Sequence, residues 1–156
     1  MRVVRVRTHN FVNLFRVSDI LWNCGKDMAK KYDLHHWDNS RLKSLIIAFW
    51  GTLKNYVYLV FDDQNKSVAT FQTQKNGNRL RFEKLATSPN FAKKGIGSFC
   101  INHIEKLAKD SGCGVICMEV YSNCDHAIRF YEHRGYKRCG SEKTLKYMEI
   151  KMEKVI

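Results

Sequence analysis

The most informative stretch of the chain is Leu85-Ala86-Thr87-Ser88-Pro89-Asn90-Phe91-Ala92-Lys93-Lys94-Gly95-Ile96-Gly97-Ser98. The apolar run at its start predicts a β-strand, and the apolar spacing that follows Gly95 predicts a helix. The N–H groups of a first helical turn have no partners within the helix, and the helix dipole places positive charge there, which favours a phosphate. Glycines let a phosphate approach the backbone closely. The stretch therefore predicts a phosphate-binding turn between a strand and a helix.

The residues before this stretch predict a strand, two helices and an antiparallel meander. Val3 to Arg7 alternates as a short strand does, and apolar residues follow at helical spacing from Phe11 to Met28 and from Leu42 to Trp50, with Asn39-Ser40 as a candidate cap. The aromatic residues of these helices are expected to lie mostly in the core: Phe11, Phe15, Trp22, Phe49 and Trp50. Three further runs read as strands joined by loops short enough to make them antiparallel: Tyr56 to Phe61, Ser67 to Thr73 and Arg79 to Thr87.

The residues after the stretch predict a strand parallel to the one that precedes it. A helix with an apolar face from Ile96 to Ala108 ends at Ser111-Gly112. Val115 to Val120 is an almost continuous apolar run, which indicates a strand that is covered on both faces and parallel to the strand ending at Thr87. The pattern closes with a short helix and two strands: Asp125 to His133, Tyr136 to Cys139 and Lys146 to Met152.

Length and composition limit the class of protein. The 156 residues suffice for one well-buried core, so we expect a single domain over residues 1–156. The apolar runs are shorter than a membrane span and the N-terminal residues lack an apolar signal core, so we expect a soluble cytoplasmic protein without membrane contact. The six cysteines form no CxxC pair and no zinc-ligand spacing with histidine, which favours reduced core residues.

The charge balance is strongly basic. Lysine and arginine number 27 against 15 aspartates and glutamates, which gives a net charge of +12. This excess suits a polyanionic ligand or partner, and a solvated basic surface explains it equally well. We therefore do not expect nucleic acid as the principal partner.

Three kinds of phosphate site can be compared with the glycine-rich stretch. A P-loop needs Gly-x-x-x-x-Gly-Lys-Ser/Thr, and the residues around Gly95 and Gly97 do not supply that pattern. A dinucleotide fold is favoured by Glu119 near the end of the next strand, where a ribose-binding carboxylate would lie. Against it, residues 88–94 are too many for the tight first turn, and Cys100 occupies the position of the third glycine. The third kind of site rests on resemblance to a known family.

Two segments resemble the GNAT superfamily of N-acetyltransferases. Residues Thr87 to Gly97 are similar to its acetyl-CoA loop, Gln/Arg-x-x-Gly-x-Gly/Ala after a strand and usually a proline. Residues Glu119 to Tyr136 are similar to Asn-x-x-Ala-x-x-Leu/Phe-Tyr-x-x-x-Gly-Phe/Tyr. The clear resemblance covers residues 79–139, and two motifs in the expected order are far more specific than one. Two positions depart from the pattern. Ala92 occupies the position where the family usually has Gln or Arg, and Cys124 occupies the position of the family's Asn, unless Asn123, one residue earlier, takes that role.

The resemblance implies a fold and a co-substrate. The fold is of the α/β (α+β) class, with a mixed, mostly antiparallel central sheet, a splayed parallel strand pair and helices on both faces. Acetyl-CoA would place its pyrophosphate on backbone N–H groups at the start of the helix and its pantetheine along the strand ending at Thr87. The residues expected to contact it are Leu85, Ala86, Thr87, Ala92, Lys93, Lys94, Gly95, Ile96, Gly97, Ser98, Asn123, Cys124, Ala127 and Phe130. No metal is expected to take part.

The resemblance also points to three candidate catalytic residues. An alkyl ammonium must lose a proton before it attacks a thioester, because its pKa is about 10.4. Glu119, the only acid in an otherwise apolar strand, is the first candidate for the base, and Glu83, acting through water, is the second. The alternative for Glu119 is a structural pair with an arginine. Tyr131 would protonate the departing CoA thiolate, and its alternative role is that of a core tyrosine.

These assignments predict an enzyme that moves an acetyl group from acetyl-CoA to a primary amine by direct attack in a ternary complex. The amine belongs to a small molecule, a protein N-terminus or a lysine. In this family the first two helices border the acceptor site, so Asp27, Asp33 and Asp38 are candidates to attract a cationic amine, with a solvated face as the alternative. His35-His36-Trp37 is a candidate to line the acceptor pocket, with a loop or packing role as the alternative. The alternative function is a non-catalytic module on the same fold, which senses acyl-CoA or uses its basic surface for nucleic acid. We expect a monomer or a homodimer.

Overall fold

The structure is a computed structural model that describes residues 1–35, 40–145 and 147–156. His36, Trp37 and Asp38, which the sequence suggests for the acceptor site, and the candidate cap residue Asn39 lie outside the described residues. The other candidate cap, Ser40, accepts a hydrogen bond from the N–H of Lys43 at 3.1 Å. Among the helices in the described ranges, none has the length and apolar content needed to cross a membrane.

The elements follow the order that the sequence predicts. Within the described residues they are β1 Arg2–Val6, α1 Phe11–Tyr32, α2 Arg41–Lys54, β2 Tyr56–Phe61, β3 Ser67–Asn76, β4 Arg79–Thr87, α3 Ile96–Asp110, β5 Val115–Tyr121, α4 Asp125–His133, β6 Lys137–Lys143 and β7 Met148–Val155. The strands form a sheet in the order β1-β2-β3-β4-β5-β7-β6, with β4 and β5 parallel. The predicted mixed fold with one parallel strand pair is confirmed. β3, β6 and β7 each run further along the chain than the sequence pattern predicts.

Contacts within the chain divide it into two compact units. The first comprises Met1–Gln74 and Lys84–His103, and the second comprises Lys75–Glu83 and Ile104–Ile156. The division falls within β3, β4 and α3. The single domain expected over residues 1–156 stays a prediction.

The first unit contains the antiparallel strands β1, β2 and β3 with α1 and α2. Leu59 of β2 and Leu14 and Leu21 of α1 belong to one buried apolar cluster. Burial of a side chain of this size contributes about 1.5–3 kcal/mol relative to leaving it exposed. α1 begins after Asn10, whose side chain accepts a hydrogen bond from the N–H of Asn13 at 3.1 Å. Packing of one apolar face therefore stabilises a helix that is also capped at its start.

The fully buried residues of α2 are small ones, Leu45 and Ile47 are partly buried against the apolar cluster, and the other large side chains of the helix are exposed. Ser44, Ala48 and Gly51 are the buried residues of this helix. A Cβ added to Gly51 would lie 2.5 Å from Nε2 of Gln72, a side chain of β3 that is only 1% exposed. The helix can approach β3 this closely only because Gly51 has no side chain.

The exposed side chains of α1 and α2 correct one expectation. The sequence predicts that the aromatic residues of these helices lie mostly in the core, but Phe11, Phe15, Phe49 and Trp50 are 64%, 57%, 38% and 54% exposed. Trp22 is half-buried. Periodicity identifies an apolar stripe without saying which stripe faces the core, and in α2 the fully buried positions are occupied by small residues.

The second unit contains the antiparallel neighbours β5, β7 and β6, together with the first residues of β4. Arg79–Arg81 pair in parallel with Val115–Cys117. Asn78, in the turn before β4, accepts hydrogen bonds from the N–H of Gly114 through its side-chain Oδ1 at 2.6 Å and through its backbone oxygen at 3.0 Å. Asn78 thereby fixes where β5 begins relative to β4.

The six cysteines are in the thiol form. Cys100, Cys113 and Cys124 are buried, as expected for reduced core residues, and Cys24 and Cys117 are half-buried. Cys139 is exposed, because it lies on β6, whose residues are all exposed. The prediction of core cysteines is therefore wrong for Cys139.

Candidate functional site

The glycine-rich turn lies between β4 and α3 in the first unit. β4 ends at Thr87, and Ser88 donates its N–H to the carbonyl oxygen of Val68 at 2.8 Å. Pro89–Phe91 forms a single 3-10 turn, in which the N–H of Phe91 donates to the Ser88 carbonyl at 2.8 Å. Proline suits the first position of such a turn, because the N–H that it lacks would have no partner there. The end of β4 is thus tied to β3, and a short turn leads into the helix.

Two left-handed residues shape the backbone immediately before α3. Lys93 has a φ of 62° and Gly95 a φ of 76°. Glycine adopts this conformation freely, whereas it costs a lysine about 1–2 kcal/mol. Left-handed residues within such a turn bring successive N–H groups to one side and form a concavity that binds anions. α3 begins at Ile96, and the N–H of Phe99 donates to the Gly95 carbonyl at 3.0 Å, so the N–H groups of the first turn precede the helical ladder.

Side chains around this turn are cationic and exposed. The Nζ of Lys94 lies 5.1 Å from the ring centroid of Phe91, and the first turn of α3 contains no acidic residue. Ala92, in the position of the family's Gln or Arg, is exposed. Of the other predicted contact residues in this turn and its flanks, Lys93, Lys94 and Gly95 are exposed. Leu85, Thr87, Gly97 and Ser98 are half-buried, and Ala86 and Ile96 are buried. The turn therefore offers backbone N–H groups and two lysines to an anion.

In the second unit, one arginine joins the two carboxylates that are candidate bases. Nη2 of Arg81 lies 2.8 Å from Oε2 of Glu119, and Nη1 lies 3.0 Å from Oε2 of Glu83. Nε of Arg81 also donates to Glu119 at 2.9 Å. The structure therefore brings Glu83 and Glu119 together, and the arginine pair that the sequence left open for Glu119 is observed.

Strand geometry explains why these three side chains meet. Arg81 lies opposite Cys117 in the parallel pair, and Glu119 is two residues further along β5. Side chains two residues apart on a strand point to the same face, so Arg81 and Glu83 share a face as well. Lys84 follows with a left-handed φ of 51°. The alternation of side chains between the two faces of β4 is therefore interrupted between Glu83 and Leu85.

Two further charged residues on the same face were not predicted from the sequence. In the register of β5 with β7, Glu149 lies opposite Tyr121 and Lys151 lies opposite Glu119. Burial raises the pKa of the Glu149 carboxyl above its ordinary value, and the carboxylates of Glu119 and Glu142 raise it further. The Nζ of Lys151 pairs with Glu142 at 2.6 Å. Only the register reveals these neighbours, because β5 and β7 are far apart along the chain.

α4 carries the second family motif. Cys124 is its N-cap residue, and the Cys124 carbonyl accepts hydrogen bonds from the N–H groups of Ala127 at 2.9 Å and Ile128 at 3.0 Å. The Cys124 side chain is 2% exposed and makes no capping bond, and burial raises the pKa of its thiol. Asn123 is exposed. Of the two candidates for the family's asparagine, Asn123 is the one whose side chain is accessible to a ligand.

Tyr131 lies within a cluster of aromatic rings. It is 7% exposed, and its ring centroid is 5.2 Å from that of half-buried Phe130 and 5.9 Å from those of Phe82 and Tyr136. These rings meet tilted or edge to face, which aromatic pairs prefer. The buried Tyr136 hydroxyl has no hydrogen-bond partner among the described residues, and burial raises the pKa of Tyr136 well above its usual range. Ring packing therefore fixes the orientation of Tyr131.

Comparison with known proteins finds several acetyltransferases. The chain is 31% identical over 67 residues to the streptothricin acetyltransferase of Streptomyces lavendulae, and the match covers 43% of this chain and 35% of that enzyme. The chain thus spans about a third of the length of this curated relative. The ribosomal-protein-S18-alanine N-acetyltransferase from Escherichia coli is 17% identical with a TM-score of 0.76, over 99% of this chain and 93% of that one. An aminoglycoside 6'-N-acetyltransferase complexed with coenzyme A is 17% identical with a TM-score of 0.71, over 99% and 97%.

Structural likeness at this level of identity shows the fold, and the family is shown by sequence. The family model described as acetyltransferase (GNAT) family matches residues 15–136. That range is more than half of the chain and includes the glycine-rich turn, the Arg81 ion pairs and α4. The chain therefore belongs to the acetyltransferase (GNAT) family.

Proposed function

We propose that this protein transfers an acetyl group from acetyl-CoA to a primary amine. The observation that carries the proposal is the turn before α3, where left-handed Lys93 and Gly95 precede a helix N-terminus flanked by two lysines. A pyrophosphate suits this arrangement, because backbone N–H groups and cationic side chains both stabilise its charge. The related aminoglycoside acetyltransferase, which was solved with coenzyme A, supports the choice of donor. Because the backbone makes the main contacts, Ala92 removes side-chain contacts without abolishing the site.

The proposed reaction uses the two carboxylates and Tyr131. The amine nitrogen attacks the thioester carbonyl carbon, a C–N bond forms and the C–S bond breaks. Glu119, or Glu83 through a water molecule, accepts the proton that the amine loses. The hydroxyl of Tyr131 gives its proton to the departing thiolate, a transfer that is nearly balanced because thiol and phenol have pKa values of about 8.5 and about 10. Solvent then restores the protonation of both groups.

Local charge supports a cationic acceptor. Glu83 and Glu119 share one guanidinium, so this cluster carries more negative than positive charge although the whole chain has a net charge of +12. Such a cluster attracts an ammonium group at short range. The names of the related enzymes supply an acceptor panel of three classes: streptothricin, aminoglycosides and peptides with an N-terminal alanine.

Two glycine variants test the proposed donor site. Gly95 and Gly112 both have left-handed φ values, 76° and 69°, and a Cβ added at either would meet nothing within 4 Å. Replacement by alanine therefore strains both turns similarly, but only Gly95 lies at the start of α3. We expect Gly95→Ala to weaken acetyl-CoA binding by about tenfold, which corresponds to about 1.4 kcal/mol, and Gly112→Ala to leave it unchanged. Calorimetric titration measures both, and equal effects would contradict the assigned turn.

Turnover tests the catalytic roles. In an assay of thiol release across the amine panel, Glu119→Gln and Tyr131→Phe should each lower the rate by about 100-fold with acetyl-CoA binding retained. Glu83→Gln should lower it less if Glu83 acts only as the second base. Glu132→Gln is the matched control, because Glu132 is an exposed acid of α4 that pairs with Arg138 at 2.9 Å. Rates that remain unchanged in Glu119→Gln and Tyr131→Phe across the pH range would remove these roles.

One observation favours a second candidate function, a module that binds acyl-CoA without catalysis. Arg81 forms ion pairs with both candidate bases, which gives these carboxylates a structural role that needs no proton transfer. Binding of acetyl-CoA without thiol release from any amine of the panel would support this function. Duplex DNA that binds with a steep dependence on salt would instead indicate a nucleic-acid role for the basic surface.

A further inference from the structure

The exposed side of α2 carries a regular apolar stripe. Leu42, Ile46, Phe49 and Leu53 are 67%, 48%, 38% and 54% exposed, and we call these four residues the α2 seam. Successive members are separated by four, three and four residues. This is the spacing with which one helix packs along another. At a rise of 1.5 Å per residue the seam is about 16 Å long, or three helical turns.

A groove lies beside the seam, between α1 and α2 of the first unit. Ile46, Phe49 and Trp50 line one wall, and Phe11 and Phe15 of α1 line the other. Its volume is about 230 Å³, and its lining is almost wholly apolar. Concave apolar surfaces between helices accept the anchoring side chains of a partner helix. These side chains remain more than a third exposed in the folded chain, and the fully buried residues of α2 are the small ones.

The surroundings of the seam are basic. Residues 1–19 and 40–61 include seven lysines and arginines and one acidic residue, Asp19, which pairs with Arg41 at 2.6 Å. Lys43 lies one turn before Ile46, and Lys54 lies one turn after Trp50 with its Nζ 5.9 Å from the Trp50 ring centroid. Within the described part of the chain, no carboxylate pairs with Lys43 or Lys54. The seam is therefore an exposed apolar stripe with a lysine near each end, and an acidic surface would complement its charge.

We propose that the α2 seam binds an amphipathic helix of another protein that carries acidic residues beside its apolar stripe. The regular spacing and the concave groove favour a helix over a flat lipid surface. Lys43 and Lys54 pair with no carboxylate among the residues that the structure describes, which favours an acidic partner over a second copy of this chain, whose own α2 would bring the same cations. The partner would leave the phosphate-binding turn open, because Ser88 and Pro89 adjoin Asn23 and Lys26 in the later turns of α1, whereas the groove uses its first turns.

Two synthetic peptides test the proposal with the full chain. The first is a fluorescent helical peptide with leucine at the a and d heptad positions and glutamate at the flanking positions, and the second has lysine in place of every glutamate. We expect the acidic peptide to bind at least about tenfold more tightly by fluorescence anisotropy, with affinity that falls as salt rises because the contact is partly electrostatic. Equal binding of the two peptides, or binding of neither, would overturn the proposal.

Variants of the protein locate the contact. Ile46→Ser combined with Phe49→Ser should weaken binding of the acidic peptide by about tenfold or more, since both substitutions remove apolar surface that the peptide would bury. Leu145→Ser is the matched control, because Leu145 is an exposed leucine of a loop in the second unit. Lys43→Glu should reduce the preference for the acidic peptide and leaves the apolar seam intact, so it gives a result even if the double variant unfolds.

Two alternative partners of the seam, a second copy of this chain and a membrane surface, would give different experimental results. Sedimentation that shows a dimer of the chain, dissociated by the Ile46 and Phe49 changes, would identify a second copy and overturn the proposal. Binding to vesicles that contain phosphatidylglycerol, without binding to the acidic peptide, would identify a membrane surface and overturn it as well. Neither measurement depends on acetyl transfer, so the seam can fail while the proposed enzyme activity holds.

Discussion

Replacement of Tyr136 by phenylalanine should stabilise the protein although the residue is buried. The side chain is 2% exposed, and its ring centroid lies 6.0 Å from that of Phe82 and 5.9 Å from that of Tyr131. In the described part of the chain the hydroxyl has no hydrogen-bond partner. A buried polar group without a partner costs about 1–3 kcal/mol, and phenylalanine keeps the ring packing. Loss of the packing contacts of the hydroxyl oxygen offsets part of this gain, so we expect the free energy of unfolding to rise by about 1 kcal/mol.

Tyr58→Phe provides the matched control for this prediction. Tyr58 is also buried and its ring stacks on Phe71 with centroids 4.9 Å apart, but its hydroxyl is hydrogen-bonded to the side chain of Thr73. Its removal should lower the free energy of unfolding by about 1 kcal/mol. For a chain of this length 1 kcal/mol corresponds to about 3 °C, so calorimetry should find Tm values that differ by about 6 °C between the variants. A Tyr136→Phe protein that melts as low as Tyr58→Phe would refute the reasoning, because the Tyr136 hydroxyl would then have a partner.

The same variant should change the response to alkali. Burial raises the pKa of Tyr136 above its ordinary value of 10.0, so the unfolded chain loses this phenolic proton before the folded protein does. Stability therefore falls as the pH rises above about 10, and phenylalanine removes this contribution. Urea unfolding across the alkaline range measures the slope, and an identical slope in both proteins would contradict the cause given for the shift.

Two further predictions concern stability. Gly51→Ala should lower the free energy of unfolding by about 1–3 kcal/mol, although alanine is the better helix former, because the new Cβ would lie 2.5 Å from Nε2 of Gln72. In a Gln72→Ala background the same change should raise the free energy of unfolding. A double-mutant cycle measured by urea unfolding checks this change of sign. Glu149→Gln should stabilise the protein at neutral pH, because burial and the neighbouring Glu119 and Glu142 raise the pKa of Glu149 in the folded state. The gain should disappear below pH 4.5, the ordinary pKa of this carboxyl, where it is protonated in the folded and the unfolded state. A gain in urea-unfolding stability that persists at acidic pH would contradict the charge explanation.

Local signals were sufficient to predict the turn before α3 and the parallel strand pair. The turn needs a residue with a left-handed backbone just before the helix, and glycine meets this need at Gly95. Such a requirement is local, so the Gly-x-Gly between an apolar run and a periodic helix was enough to predict the turn. The almost continuous apolar run from Val115 to Val120 likewise indicated a strand with a parallel neighbour, and the pairing with Arg79–Arg81 is observed. The roles of Glu119 and Tyr131 are not tested by these observations and stay predictions.

Contacts that depend on register or on close packing could not be predicted. Arg81 reaches Glu119 only because β4 and β5 pair with Arg81 opposite Cys117, and no spacing along the chain encodes that alignment. The outward face of α2 has the same kind of cause. Small and large residues both recur at helical spacing in α2, and the spacing does not tell that Ser44, Ala48 and Gly51 are the fully buried ones, with Gly51 beside the side chain of Gln72.

The Asn78 hydrogen bonds have a consequence for the folding of the second unit. The parallel register of β4 with β5 involves only three residue pairs, and a slip by one residue would exchange the faces of alternate side chains along β5. Glu119 would then lie where Met118 is now buried, and Met118 would lie beside Arg81. Because Asn78 holds Gly114 from both its side chain and its backbone, the correct alignment is selected at the first residues of the strand. The side chain and backbone of Asn78 thus act with the seven-pair register of β5 and β7 against an off-register state in which an acidic group would replace a core methionine.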